Sequence, residues 1–263
     1  MHATLVAARR LDDADLMPAA PSVQLYTLRE AISADLPDTL SRLAGLGFTQ
    51  VEPFALTRFG PALGPALADA GLSAPTAHQS FVEAEDQDAA FATAAAIGVA
   101  TIIDPMVARD RWTTPDGVRS IAAALNAAAD RAAGHGLAVG YHNHAQELEI
   151  SHDGGTALEL LAASLDPRVR LEVDVYWAAV GGADPVALLR RLGERVVAVH
   201  LKDGPATADT RDQVAVGHGS LPIREIVAAA PDALRVVELD DTRGDRFAAV
   251  ADSLAWLRAE GLA

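Results

Sequence analysis

Four stretches in the second half of the chain place chemically capable side chains at spacings of two. Residues 140–147 read Gly140-Tyr141-His142-Asn143-His144-Ala145-Gln146-Glu147. Side chains alternate between faces along an extended strand, so His142 and His144 share one face and Glu147 follows at the rim. Residues 172–177 set Glu172, Asp174 and Tyr176 on one face and valines on the other, with Trp177 next. Residues 196–203 bring His200 and Lys202 to one face, and residues 236–240 supply Glu238 and Asp240. These polar residues interrupt runs that otherwise read as buried. Burying carboxylates and imidazoles without partners is costly, so their convergence calls for a compensating charge. A divalent cation is the economical choice: two Glu, one Asp and one His form an oxygen/nitrogen shell suited to Mn²⁺, Mg²⁺, Co²⁺ or Zn²⁺.

The elements that must position these residues are legible as an alternation. Strand candidates fall at 22–28, 49–54, 74–80, 100–105, 137–144, 169–176, 196–202 and 234–240, separated by alanine- and leucine-rich segments of helical spacing. Asp38 opens one helix that Gly45 and Gly47 close; Pro115 opens another that runs through Ala133 to Gly134 and Gly136. Asp184-Pro185 starts a third, with proline suited to the first turn, and a last helix over 246–260 ends at Gly261. Eight strand–helix units imply an α/β fold with a parallel sheet covered on both faces, and eight is the number that closes a single (β/α)8 TIM barrel. A doubly wound sheet would carry a glycine-rich phosphate turn after its first strand, where this chain has Leu25-Tyr26-Thr27-Leu28. Residues 1–21 read as an N-terminal tail or cap, and 22–263 as the barrel.

Composition narrows the function. With 36 acidic against 21 basic residues the formal charge is −15, which disfavours a nucleic-acid surface. The absence of cysteine removes thiolate ligands, thiol nucleophiles and disulfides. The longest apolar run near the start, residues 5–8, is too short for a signal-peptide core, and no stretch approaches the ~18 apolar residues of a membrane helix. A cytoplasmic protein acting on a small molecule, without nucleic acid or membrane as partner and open to homo-oligomerisation, is the expectation.

The stretches 141–147 (YHNHAQE), 173–177 (VDVYW) with the following Gly181-Gly182-Ala183-Asp184-Pro185, and 200–203 (HLKD) resemble the xylose isomerase-like sugar phosphate isomerase/epimerase family. So do Gln24-Leu25-Tyr26 and Val216-Gly217-His218-Gly219. The resemblance extends over roughly 22–260 in the order of the elements. It implies one divalent ion, Mn²⁺ foremost with Mg²⁺, Co²⁺ or Zn²⁺ as alternatives, held from four successive strands by Glu147, Asp174, His200 and Glu238. Many relatives carry the first of these carboxylates within the fifth strand, where this chain has Gly140 to His142; Glu147 is the nearby carboxylate, and His142 is the fallback. The implied activity is metal-dependent isomerisation or epimerisation of a keto-sugar or polyol by proton transfer beside a carbonyl. Glu147 and Glu238 then form the acid/base pair, with His144 or Lys202 as alternates. His78, His142, Lys202 and Trp177 are the expected substrate contacts.

Each residue also has an ordinary reading. Asp174 in a Val-Asp-Val strand could bond backbone amides, His200 could be a satisfied core histidine, and Glu238 beside Asp240 and Asp241 could be a solvated strand end. His142 and His144 could orient ligands instead of touching substrate. Glu172 reads as a deeper, structural carboxylate, and Trp177 as a wall or support of the pocket. Four strand ends in succession, each with a ligand-type side chain, favour the functional reading. Only Lys202, Arg29 and Arg243 offer themselves to a phosphate, which points to a non-phosphorylated sugar. The rivals are a lyase on the same site (an inosose-type dehydratase or a 3-keto-glycoside deglycosidase), a nuclease of the endonuclease IV type, and a non-catalytic sugar-binding barrel.

Overall fold

A computed structural model describes residues 20–152 and 154–263. The tail or cap expected at 1–21 therefore lies, apart from its last two residues, outside the described residues. In chain order the strands are β1 Ser22–Val23, β2 Thr76–His78, β3 Thr101–Asp104, β4 Ala138–His142, β5 Ser151–His152, β6 Gly155–Thr156, β7 Arg170–Asp174, β8 Val196–Leu201 and β9 Leu234–Val237. Seven of them form one parallel sheet in the order β1-β9-β8-β7-β4-β3-β2, while β5 and β6 make a short antiparallel ribbon. Pairing of the first strand with the last curls the sheet.

Residues 50–54 lie between the two ends of that sheet. Glu52 N donates to Val23 O at 2.8 Å and Leu25 N to Glu52 O at 2.9 Å; on the other side, His78 N donates to Pro53 O at 2.8 Å. These contacts are isolated parallel bridges and not a ladder. Pro53 has no N–H to contribute, so continuous pairing through this segment is interrupted.

The strand cores are apolar because helices cover their outer faces. Ile102, Val139, Leu171, Val173, Val199 and Leu201 are all buried there. The longest helix, Pro115–Ala133, begins on a Thr114 cap that accepts from Gly117 N at 3.1 Å. Its buried stripe of Val118, Ile121, Ala122, Leu125, Ala128, Ala129 and Ala132 follows helical spacing. The helix Leu36–Leu46 ends at Gly47 with φ of 101°, a conformation glycine adopts without strain.

Strands stop earlier than their sequence pattern suggests, and three of these endings reshape the site. The first yields at Leu25 to a 3-10 turn, Leu25–Leu28, capped by the Gln24 side chain. The strand expected through Tyr176 ends at Asp174, whose carboxylate accepts from Trp177 N at 2.8 Å and starts the helix Val175–Val180. Tyr176 consequently leaves the face of Glu172 and Asp174, and its hydroxyl donates to Thr207 O at 3.0 Å. The strand expected through His144 ends at His142.

Candidate active site at the strand ends

The sheet register brings the inward-facing residues of three neighbouring strands together. His142 on β4 is opposite Glu172 on β7, and Asp174 on β7 is opposite His200 on β8. An irregularity between Leu171 and Glu172 shifts the β7–β8 pairing by one residue, and this sets Asp174 against His200. Glu238 follows directly on β9.

The side chains form two layers that share His200. In the outer layer the Lys202 ammonium lies 2.9 Å from Asp174 Oδ2, 2.9 Å from Glu238 Oε2 and 2.7 Å from Asp240 Oδ2. Asp240 is braced from below: Trp177 Nε1 donates to its Oδ2 at 3.1 Å and Gln213 Nε2 at 2.8 Å. In the inner layer three imidazole nitrogens converge on one carboxylate oxygen. Glu172 Oε2 lies 2.5 Å from His78 Nε2, 3.0 Å from His142 Nδ1 and 3.0 Å from His200 Nε2. Glu52 joins from the opposite side, with Oε1 2.7 Å from His200 Nε2 and 3.3 Å from His78 Nε2. Gln24 Nε2 donates to the same Glu52 oxygen at 2.7 Å, and the Thr76 hydroxyl donates to the other. His200 Nδ1 faces outward and lies 2.5 Å from Glu238 Oε2.

Burial and neighbouring charge set the ionisation of these groups in opposite directions. Burial would lower the Lys202 pKa, but Asp174, Asp240 and Glu238 outweigh it and hold the ammonium charged. Burial likewise opposes ionisation of Glu238 and Glu172, yet Lys202 and His200 keep the first well below the usual carboxylate range, and His200 and His78 do so for the second. Glu52 moves up, because burial and the adjacent Glu172 both disfavour a second negative charge. Asp174 rises to about 6, with burial outweighing Lys202 and His200. His144 falls to about 4 through burial and the nearby Lys202 charge.

Above the outer layer opens a cavity of about 360 Å³. Its floor includes Lys202, Glu238, Asp240, His78 and His144, and its walls include Tyr26, Phe54 and Met106. Tyr26 and Phe54 meet edge to face at 5.4 Å. The rim is fixed by carboxylates that collect backbone amides. Asp104 accepts from Phe81 N and Val82 N at 2.7 Å each and from Met106 N at 3.1 Å. Asp203 accepts from Gly204, Gly217, Gly219 and Leu221 N–H groups at 2.8–3.1 Å. A Cβ on Gly219 would stand 2.1 Å from the Asp203 carboxylate, so this turn requires glycine there.

Of the side chains singled out in the sequence, Asp174, His200, Glu238 and Lys202 assemble in the outer layer, and His78 and His142 in the inner one. Glu147 stands apart from both. Tyr141 Oη donates to its Oε1 at 2.7 Å and His144 N to its Oε2 at 2.8 Å, so it braces the turn after β4. The fourfold set of Glu147, Asp174, His200 and Glu238 therefore does not form around one point. Gly140 is tightly enclosed: a Cβ there would lie 3.2 Å from Ile103 Cγ1 and 3.3 Å from Arg170 O. Trp177 supports Asp240 and is not on the cavity wall. Glu172, read as structural, lies at the centre of the inner layer, and Glu52 was not singled out at all. The available signal for Glu52 was a lone charge between Val51 and Pro53 in an otherwise apolar segment.

A curled parallel sheet with carboxylates, imidazoles and an ammonium gathered at its carboxyl ends is an α/β arrangement consistent with a TIM barrel, in which sites lie at that end of the strands. The sequence model of the xylose isomerase-like TIM barrel matches residues 30–260, and the chain belongs to that family. No curated protein is significantly similar to it in sequence. Among solved structures, a sugar phosphate isomerase/epimerase from Parabacteroides distasonis is 26% identical with a TM-score of 0.75, over 91% of this chain and 93% of that one. An L-ribulose 3-epimerase is 16% identical with a TM-score of 0.68, covering 93% and 94%. A probable 3-DHS dehydratase from Bacillus anthracis is 14% identical with a TM-score of 0.69, covering 91% and 99%. Among the described residues, no helix is long and apolar enough to cross a membrane.

Proposed function

We propose that the cavity is the active site of a sugar isomerase or epimerase that moves a proton on the carbon beside a carbonyl, with residues 50–54 acting as the eighth stave of a (β/α)8 barrel. The observation that carries this reading is the Lys202 ammonium, held among Asp174, Glu238 and Asp240 at the floor of the cavity. Removal of the proton leaves its bonding electrons to form the carbon–carbon double bond of an enediolate, and negative charge gathers on the former carbonyl oxygen. A fixed ammonium beside that oxygen stabilises the charge as it develops. His144 and Glu238 line the same cavity and take the two proton-transfer roles; Glu147, fully buried beside Tyr141, does not reach it. Lys202 and His200 hold Glu238 ionised, so its carboxylate accepts the proton, while the low proton affinity of His144 makes a proton that it takes from solvent readily released to the enediolate. Return of a proton to the opposite face gives the epimer, and return to the neighbouring carbon gives the isomer. Expulsion of a β-hydroxyl from the same enediolate gives elimination, a reaction class represented among the structural neighbours by the protein named a probable 3-DHS dehydratase.

The four residues that the family resemblance assigns to a cation do not meet around one point. Of the fourfold set, Glu147 lies elsewhere, and two of the remaining three, Asp174 and Glu238, already contact an ammonium, so the proton-transfer roles are assigned to side chains alone. A non-phosphorylated sugar suits the cavity. Arg29 is engaged with the Tyr26 and Asp240 carbonyls, and Arg243 with Asp209 and Asp212, which leaves Lys202 as the cation on the lining.

The test is a panel of ketoses, aldoses, inososes and 3-keto-sugars incubated in D₂O. Solvent deuterium at the carbon beside the carbonyl, in a product of unchanged formula, supports the proposal. Loss of water assigns the site to a lyase, and absence of both exchange and turnover across the panel favours a binding barrel.

A further inference from the structure

We infer that the inner layer is a transition-metal site, formed by His78, His142, Glu172 and His200 and distinct from the outer carboxylates that surround Lys202. One ligand-type atom from each of the four lies within 4.8 Å of every other, and all four residues are buried. Three imidazole nitrogens already point at one position, that of Glu172 Oε2, at 2.5–3.0 Å. Ligands about 2.1 Å from a shared tetrahedral ion stand about 3.4 Å apart, so each of the three distances to Glu172 Oε2 needs to lengthen by less than about an ångström to admit one. The other oxygen, Glu172 Oε1, is buried with no hydrogen-bond partner, an unusual state for a carboxylate at the centre of a protein.

The surroundings have the form expected around metal-bound imidazole. A ligating histidine usually donates its second ring N–H to a carboxylate, which fixes the tautomer and directs the other nitrogen at the ion. His200 Nδ1 meets Glu238 Oε2 at 2.5 Å while Nε2 faces the inner layer. An ion there would fix the orientation of His200, and His200 would in turn hold Glu238 at the cavity floor. Three imidazoles and one carboxylate favour Zn²⁺, Co²⁺ or Fe²⁺ over Mg²⁺, which prefers an all-oxygen shell. The ammonium among Asp174, Glu238 and Asp240 explains why the ion would take the inner position: the outer carboxylates already have their counter-charge. This inference does not depend on the sugar chemistry proposed above, and its test uses metal salts without substrate.

Purified full-length protein is stripped with chelator, and Zn²⁺, Co²⁺ and Mg²⁺ are titrated by calorimetry. The expected result is one Zn²⁺ or Co²⁺ per chain, bound at least ~100-fold more tightly than Mg²⁺, with a visible Co²⁺ absorption spectrum of low coordination number. His78→Ala and His142→Ala should each weaken Co²⁺ binding by at least ~100-fold, and Asp174→Asn by no more than ~10-fold. Should those variants fail to fold, anomalous diffraction from Zn²⁺-loaded wild-type crystals decides the matter without them. A peak within bonding distance of His78, His142 and His200 upholds the assignment. No binding by the stripped protein, or a peak between Asp174 and Glu238, overturns it.

Discussion

A single ammonium, that of Lys202, lies within 2.9 Å of three carboxylates, so replacing it with an apolar side chain leaves Asp174, Glu238 and Asp240 facing one another. Breaking a buried ion pair from one side typically costs about 3–5 kcal/mol. Lys202→Met should therefore destabilise the fold by about that amount in urea denaturation. It should also lower turnover by about 10²–10³, the usual loss for one oxyanion donor. His144 makes a separate prediction through pH. Its pKa falls from 6.5 to about 4 on folding, so the unfolded chain takes up a proton below pH 6.5 that the native state refuses. Its contribution to stability is thus undiminished above pH 6.5, declines as pH drops, and levels off below about 4. In denaturation series from pH 7 to 4, His144→Gln should lose less stability than the wild type. An identical pH slope in both would show that His144 is not buried in its neutral form.

Among the elements, the turns after β4 and β8 show how carboxylates shape the cavity without entering it. Asp203 gathers four backbone N–H groups, and charge-assisted hydrogen bonds of this type contribute about 1.5–3 kcal/mol each, though not additively. Asp203→Ala should cost at least ~3 kcal/mol and speed amide exchange at Gly217, Gly219 and Leu221. Glu147 does comparable work after β4, where it ties Tyr141 to the His144 backbone. Glu147→Gln should cost about 1–3 kcal/mol and leave metal content unchanged. Stripping of metal by that substitution would return Glu147 to the ligand set that the family resemblance implies. The sequence pattern located these elements well because their signals are local. Pro115 and Gly134 bound a helix just as their positions imply, and the valine-rich runs at β7 and β8 are strands. Strand ends were less legible. Asp174 acts as a helix cap as well as a strand residue, and the choice between those roles, which removes Tyr176 from the inner face, is made by tertiary structure.

At the level of the whole molecule, the site depends on contacts between residues far apart in the chain. Glu52 and His200 meet at 2.7 Å across 148 positions, and no periodicity in the sequence signals that pairing. The inner layer depends further on the register shift after Leu171, which is equally silent in the sequence. Alternation along single strands did reveal which of Asp174, His200, Lys202 and Glu238 face inward, because that property is local to each strand. It could not reveal that Lys202 would take the place among the carboxylates that the family resemblance gives to a cation, since this needs the angular positions of three strands at once. The activity proposed for the assembled site is proton exchange beside a sugar carbonyl. The most direct measurement is NMR of the keto-sugar panel in D₂O with wild-type and Lys202→Met protein. Wild type is expected to incorporate solvent deuterium at that carbon of at least one sugar and to form its epimer or isomer, and the variant to exchange at least ~100-fold more slowly. Exchange at the same rate in both proteins, or none with any sugar of the panel, would contradict the proposed activity.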